Sequence, residues 1–260
     1  MSVVAFRNTS SMSEIELLEA QLEQATRLAS LGRLAATLAH EFNNVLMGIQ
    51  PFAQLLQRPA LPPAVVAKSA GHIMTSVARG KRIAQDILRF AQPPQTTLHP
   101  LDFTEWCRRF VAESAPLIPD SVTLRTELSN EPLRILSDGE LLSQVFASLT
   151  ANARDAMPNG GTITIAARQP CPSSAFSFGA VADPERFVQI SFSDTGTGIA
   201  PHVLPRVFDP LFTTKHNRTG LGLAVAQQIV TDQGGHLFVE SAPGSGTTFH
   251  LFLRRNATEC

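Results

Sequence analysis

The sequence predicts a two-domain α+β chain, a helical hairpin followed by a sandwich of mixed helices and strands. Three observations carry this reading. Leu31, Ala35, Leu38, Phe42, Val45, Ile49, Phe52 and Leu56 alternate steps of four and three, which puts them in one heptad stripe along a single helix. Val66, Ala70, Ile73, Val77, Gly80, Ala84, Ile87 and Ala91 repeat the rhythm after the turn Arg58-Pro59-Ala60-Leu61-Pro62-Pro63. Beyond Pro93-Pro94 the pattern changes to short alternating runs mixed with helical ones, without regular βαβ alternation.

The element order follows from local chemistry. Residues 1–13 are small and polar and read as a disordered tail. Ser13 followed by Glu16 makes a capping box, so a helix begins near 14 and runs to about 57. Its first apolar set, Ile15, Leu18, Leu22 and Ala25, joins Leu28 and Leu31 by two successive steps of three. That is a stammer, read either as a fraying helix entry or as a discontinuity through which an upstream signal twists the helix. Pro51 falls outside the stripe, so a kink there need not spoil it. The second helix spans about 64–92, which sets the hairpin domain at 14–92 and a linker at 93–100. An αα-hairpin alone covers only one side of each stripe, so pairing two copies into a four-helix bundle is the economical way to bury the rest.

In the second domain, 101–260, a helix is predicted over 101–115 and strands over 122–128 and 133–136. Asp138 caps a helix running to Met157, and Pro158-Asn159-Gly160-Gly161 turns the chain into a strand over 162–168. A Ser/Pro/Phe-rich loop fills 169–186, followed by a strand over 187–193. A helix from about Gly220 stops at Gly234-Gly235, and strands over 236–241 and 247–253 complete the domain.

Composition narrows the function classes. A net charge of −1 over 260 residues supplies no basic field for nucleic acid. Cys107, Cys171 and Cys260 are isolated and form neither a disulfide framework nor a zinc site, which fits a reducing, cytoplasmic setting. No secretory leader and no run of eighteen apolar residues is present, so no membrane span is expected and any signal from across a membrane would arrive through an upstream sensor protein.

The residues that carry chemistry fall in five places. In Leu38-Ala39-His40-Glu41-Phe42-Asn43-Asn44, His40 lies at heptad position f, furthest from the stripe. Glu41 at g lies beside it, and Asn44 at c lies one turn further on the same side. On the 138–157 helix, Val145, Leu149 and Ala153 face the core while Asn152 and Asp155 share the other side; an Asn carbonyl suits Mg²⁺, which takes few protein ligands plus phosphate and water. Asp194-Thr195-Gly196-Thr197-Gly198-Ile199 follows a strand, placing an acceptor carboxylate beside glycines that let backbone approach a ligand. Phe208 and Phe212 frame Val207-Phe208-Asp209-Pro210-Leu211-Phe212-Thr213-Thr214-Lys215. Thr219-Gly220-Leu221-Gly222 opens a helix whose first N–H groups suit a phosphate. Neither a Walker motif nor GxGxxG occurs.

In this order and spacing, from about Glu14 onward, the chain resembles the sensor histidine kinases of two-component systems. His40-Glu41-Phe42-Asn43-Asn44 looks like the phospho-acceptor box in its nitrogen-regulation form. Asn152 matches the Mg²⁺ ligand of the family's N-box, Asp194 its adenine contact, Phe208 and Phe212 its F-box, and Gly220 and Gly222 its lid glycines. The resemblance implies a GHKL-type ATP-binding sandwich after the hairpin, with ATP and Mg²⁺ as cofactors. It also implies a homodimer and transfer of phosphate from His40 to an aspartate of a separate response regulator receiver domain. Asp155, Gly196, Gly198, Ile199, Thr219 and Leu221 fall within the same boxes. Ser148 stands where the N-box usually begins with Asn, and Arg218 where the lid usually has Gly.

On this resemblance Glu41, adjacent on the exposed side, accepts the Nδ1 proton of His40 and leaves Nε2 as nucleophile. Asn44 either orients a water that removes phosphate from the regulator or is an ordinary solvated residue. Lys215 is a phosphate contact or a solvated charge, and Thr247 a water-mediated adenine contact or a packing residue. His72, His99, His202, His216, His236 and His250 are isolated and read as structural or surface residues. Two rivals remain: a clamp-type GHKL ATPase, which gives His40-Glu41 no purpose, and a non-catalytic dimeric scaffold. An acid-labile, base-stable phosphoprotein separates them.

Overall fold

The computed structural model describes residues 35–91, 95–128, 132–169, 183–215 and 218–256. The predicted tail, capping box and stammer, Gln92 and the two prolines after it, most of the 169–186 loop, Cys171, Cys260 and His216 lie outside them. The chain divides into two compact units, one reaching Pro94 and including Lys215–Thr219, the other comprising Gln95–Thr214 and Gly220–Cys260.

The first unit is an antiparallel hairpin of α1 (Ala35–Leu56) and α2 (Pro63–Ala91). Helix α1 runs through Pro51, whose side chain is exposed. The helices approach closely where side chains are small. A Cβ on Gly80 would lie 3.1 Å from Val45 Cγ1, and one on Gly48 would press into the Ser76 hydroxyl. Phe52 and His72 stack with ring centroids 4.3 Å apart.

The hairpin seam differs from the predicted stripe on α2. Ser69, Ile83 and Phe90 are buried, whereas the predicted Val66 and Val77 remain 41% and 47% exposed. The two lines share Ile73, Gly80 and Ile87, all half-buried. The heptad therefore runs along the border between two faces, one packed on α1 and the other, with Phe42, Leu46, Met47 and Met74, left apolar and exposed.

The second unit is a sandwich. Its main sheet has the order β2-β4-β5-β7-β6, from Val122–Leu128, Gly161–Arg168, Phe187–Asp194, Thr247–Arg254 and His236–Ser241 respectively. β2 and β4 are parallel and the remaining pairs antiparallel. Helices α3 (Phe103–Ser114), α4 (Gly139–Ala156) and α5 (Gly222–Asp232) contribute apolar faces to one core with this sheet. In β4 the alternation is plain, with Ile163, Ile165 and Ala167 turned inward. Phe146 sits among Phe103, Trp106, Phe110 and Phe192, mostly edge-on.

Two of the three sandwich helices start at an aspartate cap. Asp138 Oδ1 accepts from the N–H groups of Glu140 and Leu141 at 3.0 and 3.1 Å, as the sequence predicts. Asp102 Oδ1 does the same for Thr104 and Glu105. This corrects the predicted helix start at 101, because His99–Asp102 is a strand, β1, pairing antiparallel with β3 (Arg134–Ser137). Four residues with a proline at the second position carry too little alternation to mark a strand.

Cys107 lies in this core with no exposed surface, and burial pushes its thiol up to about 12, with Arg108 pulling it partly back. A thiol so far above its ordinary value has almost no thiolate at pH 8, and the thiolate is the reacting form. Peptide mapping after treatment with iodoacetamide at pH 8 is expected to find Cys107 unlabelled in the folded protein and labelled in denaturant. Rapid native labelling at this position would contradict its burial.

Candidate active site

In the hairpin, His40 is exposed on α1, and Asn44 one turn on is half-buried. Glu41 differs from expectation. It does not share the exposed side with His40 but is half-buried, and its Oε2 accepts a 2.8 Å bond from Arg79 Nη2 on α2. The physical reason is its heptad position, since g borders the seam and lies within reach of the neighbouring helix.

In the sandwich, the second group of candidate residues gathers where α4, β5, β7 and the start of α5 end or begin. Asp194 is the last residue of β5, and its register partners are Ile163 on β4 and Thr247 on β7. Asp194 Oδ1 accepts from Gly196 N at 2.8 Å, which bends the chain sharply out of the strand. Thr197 N then donates to Ala156 O at the end of α4, and Gly244 N donates to Thr197 O. Ile199 N donates to Ser241 Oγ at 2.8 Å, and that hydroxyl also meets Gly246 O and Thr247 Oγ1. The loop 194–199 is thus tied to α4 on one side and to the β6–β7 turn on the other.

The glycines here serve the protein's own backbone. Gly198 has φ +69°, and a Cβ there would run into Ala242 O; Gly246 has φ +79° and faces Asp194 O in the same way. Gly196 is crowded by Ala156, whose Cβ and O both lie 2.7 Å from where a Cβ on the glycine would sit. The sequence suggests that these glycines let backbone approach a ligand; they are also crowded by the protein's own atoms, backbone at Gly198 and Gly246 and both backbone and side chain at Gly196. Ser241 does not stand out in the sequence, because a serine at a strand end has no motif of its own. Its role comes from standing opposite Thr247 in the register.

On α4, Val145, Leu149 and Ala153 are buried, and Asn152 and Asp155 are half-buried on the other side. Val207 and Leu211 are buried, and the Arg206 guanidinium lies 4.2 Å over the Phe212 ring. Phe208 packs against the main core. Leu211 has φ +63°, and a Cβ on Gly220, at φ +70°, would meet Leu211 C and Phe212 O at 2.5 and 2.6 Å. Gly220 and the Leu211–Phe212 backbone thus lie against each other. Lys215 and Thr219 are half-buried. Leu221, fully buried, is the N-cap of α5, and no side chain caps that first turn. Gly222 is its first residue, with Ser148 Oγ 2.8 Å from where its Cβ would be. A helix start without a side-chain cap, bordered by glycine and serine, suits an anion.

A carboxylate at a strand end, an amide on α4 and this helix start all belong to the sandwich. Residues 30–96 match the His Kinase A (phospho-acceptor) domain. Residues 137–257 match the histidine kinase-, DNA gyrase B- and HSP90-like ATPase. The chain is homologous to the sensor histidine kinases. Sensor kinase CckA of Brucella abortus is 33% identical over 94% of this chain and 26% of its own length. Histidine-protein kinase AtoS of Escherichia coli is 32% identical over 91% of this chain and 37% of its own. The chain thus spans about a quarter to a half of the curated relatives it matches. Among solved structures, histidine kinase ThkA in complex with response regulator TrrA superposes with a TM-score of 0.77 at 23% identity, covering 94% of this chain and 67% of ThkA. At that identity the likeness speaks for the fold. Like these kinases' domains, the chain joins a helical hairpin to a GHKL-type α/β sandwich.

Proposed function

We propose that the chain is an ATP-dependent protein histidine kinase that phosphorylates His40 and passes the phosphoryl group to an aspartate of a response regulator. One observation carries the reading: a phospho-acceptor domain and an ATPase domain follow one another on the chain, and the hairpin presents His40 to solvent. His40 Nε2 forms the bond to the γ-phosphorus as the bond to the bridging oxygen breaks and ADP leaves with the electron pair. Glu41 takes the Nδ1 proton. Asn44, four residues along α1, orients the water when phosphate is removed from the regulator. The rival clamp-type ATPase leaves an exposed histidine next to an anchored carboxylate without a task.

In the sandwich, Asp194 accepts the exocyclic amine of adenine, with Thr247 beside it. Gly196, Gly198 and Ile199 shape the floor that Ser241 holds. Phe208 and Phe212 frame the segment carrying Lys215, and Thr219, Gly220, Leu221 and Gly222 present the α5 start to the phosphates. Asn152 is the protein ligand for Mg²⁺, with Asp155 near by. No group of three or more His, Cys, Asp or Glu residues gathers into a metal cage among the described residues, which fits an ion held by one amide together with phosphate and water. When bound, Mg²⁺ offsets the charge that builds on the phosphates.

A homodimer is supported by the exposed apolar face of the hairpin, including Phe42, Leu46, Met47, Val66, Met74 and Val77. An upstream sensor protein as the source of the signal and a cytoplasmic setting belong to the same reading. Among the described residues no helix is long and apolar enough to cross a membrane.

Incubation with γ-labelled ATP and Mg²⁺ is expected to give an acid-labile, base-stable phosphoprotein that loses label on addition of a receiver domain. A chain that hydrolyses ATP without ever carrying label would overturn the reading. Asn152→Ala is expected to weaken Mg-ATP binding on the order of tenfold or more in calorimetry, the scale of one lost hydrogen bond to a charged group. Binding without Mg²⁺ should change little; equal losses with and without the ion would remove Asn152 from the metal role.

A further inference from the structure

We infer that Arg79 is a positioning residue for phosphohistidine formation, holding the Glu41 carboxylate by one oxygen so that the other faces the His40 proton. The inference rests on the proposed role of Glu41 as base. Arg79 Nη2 donates to Glu41 Oε2 at 2.8 Å across the hairpin, between residues 38 apart in sequence. The carboxylate is held by that one oxygen, and among the described residues no donor falls on Oε1. A glutamate has three side-chain torsions and, unheld, samples many rotamers on a helix surface. A guanidinium fixes a carboxylate by direction as well as by charge.

The reach of Arg79 is set by packing next to it. Gly80, the following residue, lies against Val45, one turn beyond Glu41, and Gly48 lies against Ser76. With no side chain on either glycine, the backbones draw together at just the level where Arg79 meets Glu41. The side chains of the pair are 27% and 21% exposed. A partly exposed ion pair contributes little to stability, so a large effect of Arg79 on rate would have to come from orientation. The transfer itself is unchanged: Nε2 gains the phosphoryl group, Oε1 gains the Nδ1 proton and ADP departs.

The test is a double-mutant cycle on the full chain, reading initial rates of acid-labile phosphate incorporation at saturating ATP. Arg79→Ala is expected to lower the maximal rate on the order of tenfold, the cost of a base no longer held in line, with KM for ATP unchanged. Arg79→Lys should recover part of the loss, because it restores the charge but not the fixed direction. In a Glu41→Gln background, which is itself expected to be slow, Arg79→Ala should cause no further fall. Thermal melts should show all variants folded. Equal effects of Arg79→Ala in both backgrounds, or none beside an intact Glu41, would overturn the inference while leaving Glu41 as base. A rate unmoved by Glu41→Gln would remove base and positioning residue together, with labelling of His40 still standing.

Discussion

Replacing His40 by glutamine is expected to abolish incorporation of the γ-phosphate while leaving ATP binding intact. Glutamine keeps a polar side chain of similar reach but has no ring nitrogen with a lone pair to attack phosphorus. The position makes this a clean experiment. His40 is exposed, so its replacement should change stability by less than about 0.5 kcal/mol. The residues proposed to bind nucleotide, Asp194, Asn152 and the start of α5, belong to the other compact unit and are built from its own strands and helices. Calorimetry should therefore give the same ATP affinity for both proteins, while labelling falls to background. Label surviving at full level in His40→Gln would sink the assignment of this residue and move attention to another nucleophile.

The heptad spacing makes both hairpin helices legible because period is a property of sequence alone. Which face of α2 packs on α1 is not legible, since the stripe lies between two apolar faces. Ser69 and Ser76 are as much part of the seam as Ile83, and a serine sends no apolar signal. β1 escapes sequence reasoning for a related reason. It is held by pairing with a strand 35 residues away, Leu101 opposite Ile135 and Asp102 opposite Arg134, and such pairing leaves no mark in a four-residue window. In the candidate site, Asp194 and the glycines stand out because their types are unusual for their places. Ser241 and the Arg79–Glu41 pair do not, because each depends on a partner brought near by the fold. The glycines carry a further lesson: the need for them is legible, but one cause of it, crowding by Ala242, Ala156 and Asp194, is not.

That cause yields the second large effect. Gly198→Ala is expected to cost the sandwich more than about 3 kcal/mol, well above the usual range for a surface loop. Two penalties add. At φ +69° an alanine bears left-handed strain of about 1–2 kcal/mol. Its Cβ would also meet the Ala242 carbonyl oxygen, and backbone has no rotamer with which to give way. The loop must then shift, taking with it the bond from Ile199 N to Ser241 Oγ and the floor beside Asp194, so ATP affinity should fall along with stability. Gly244 supplies the control. Its φ is +78°, but nothing lies within 4 Å of an added Cβ, so Gly244→Ala bears the strain alone. It should lower stability by about 1–2 kcal/mol, a shift of a few degrees in Tm, and leave nucleotide affinity unchanged. The difference between the two alanines in thermal melts and calorimetry isolates the crowding. If both cost the same and neither touches affinity, the tight seating of the 194–199 loop against the β6–β7 turn is not what shapes the nucleotide floor.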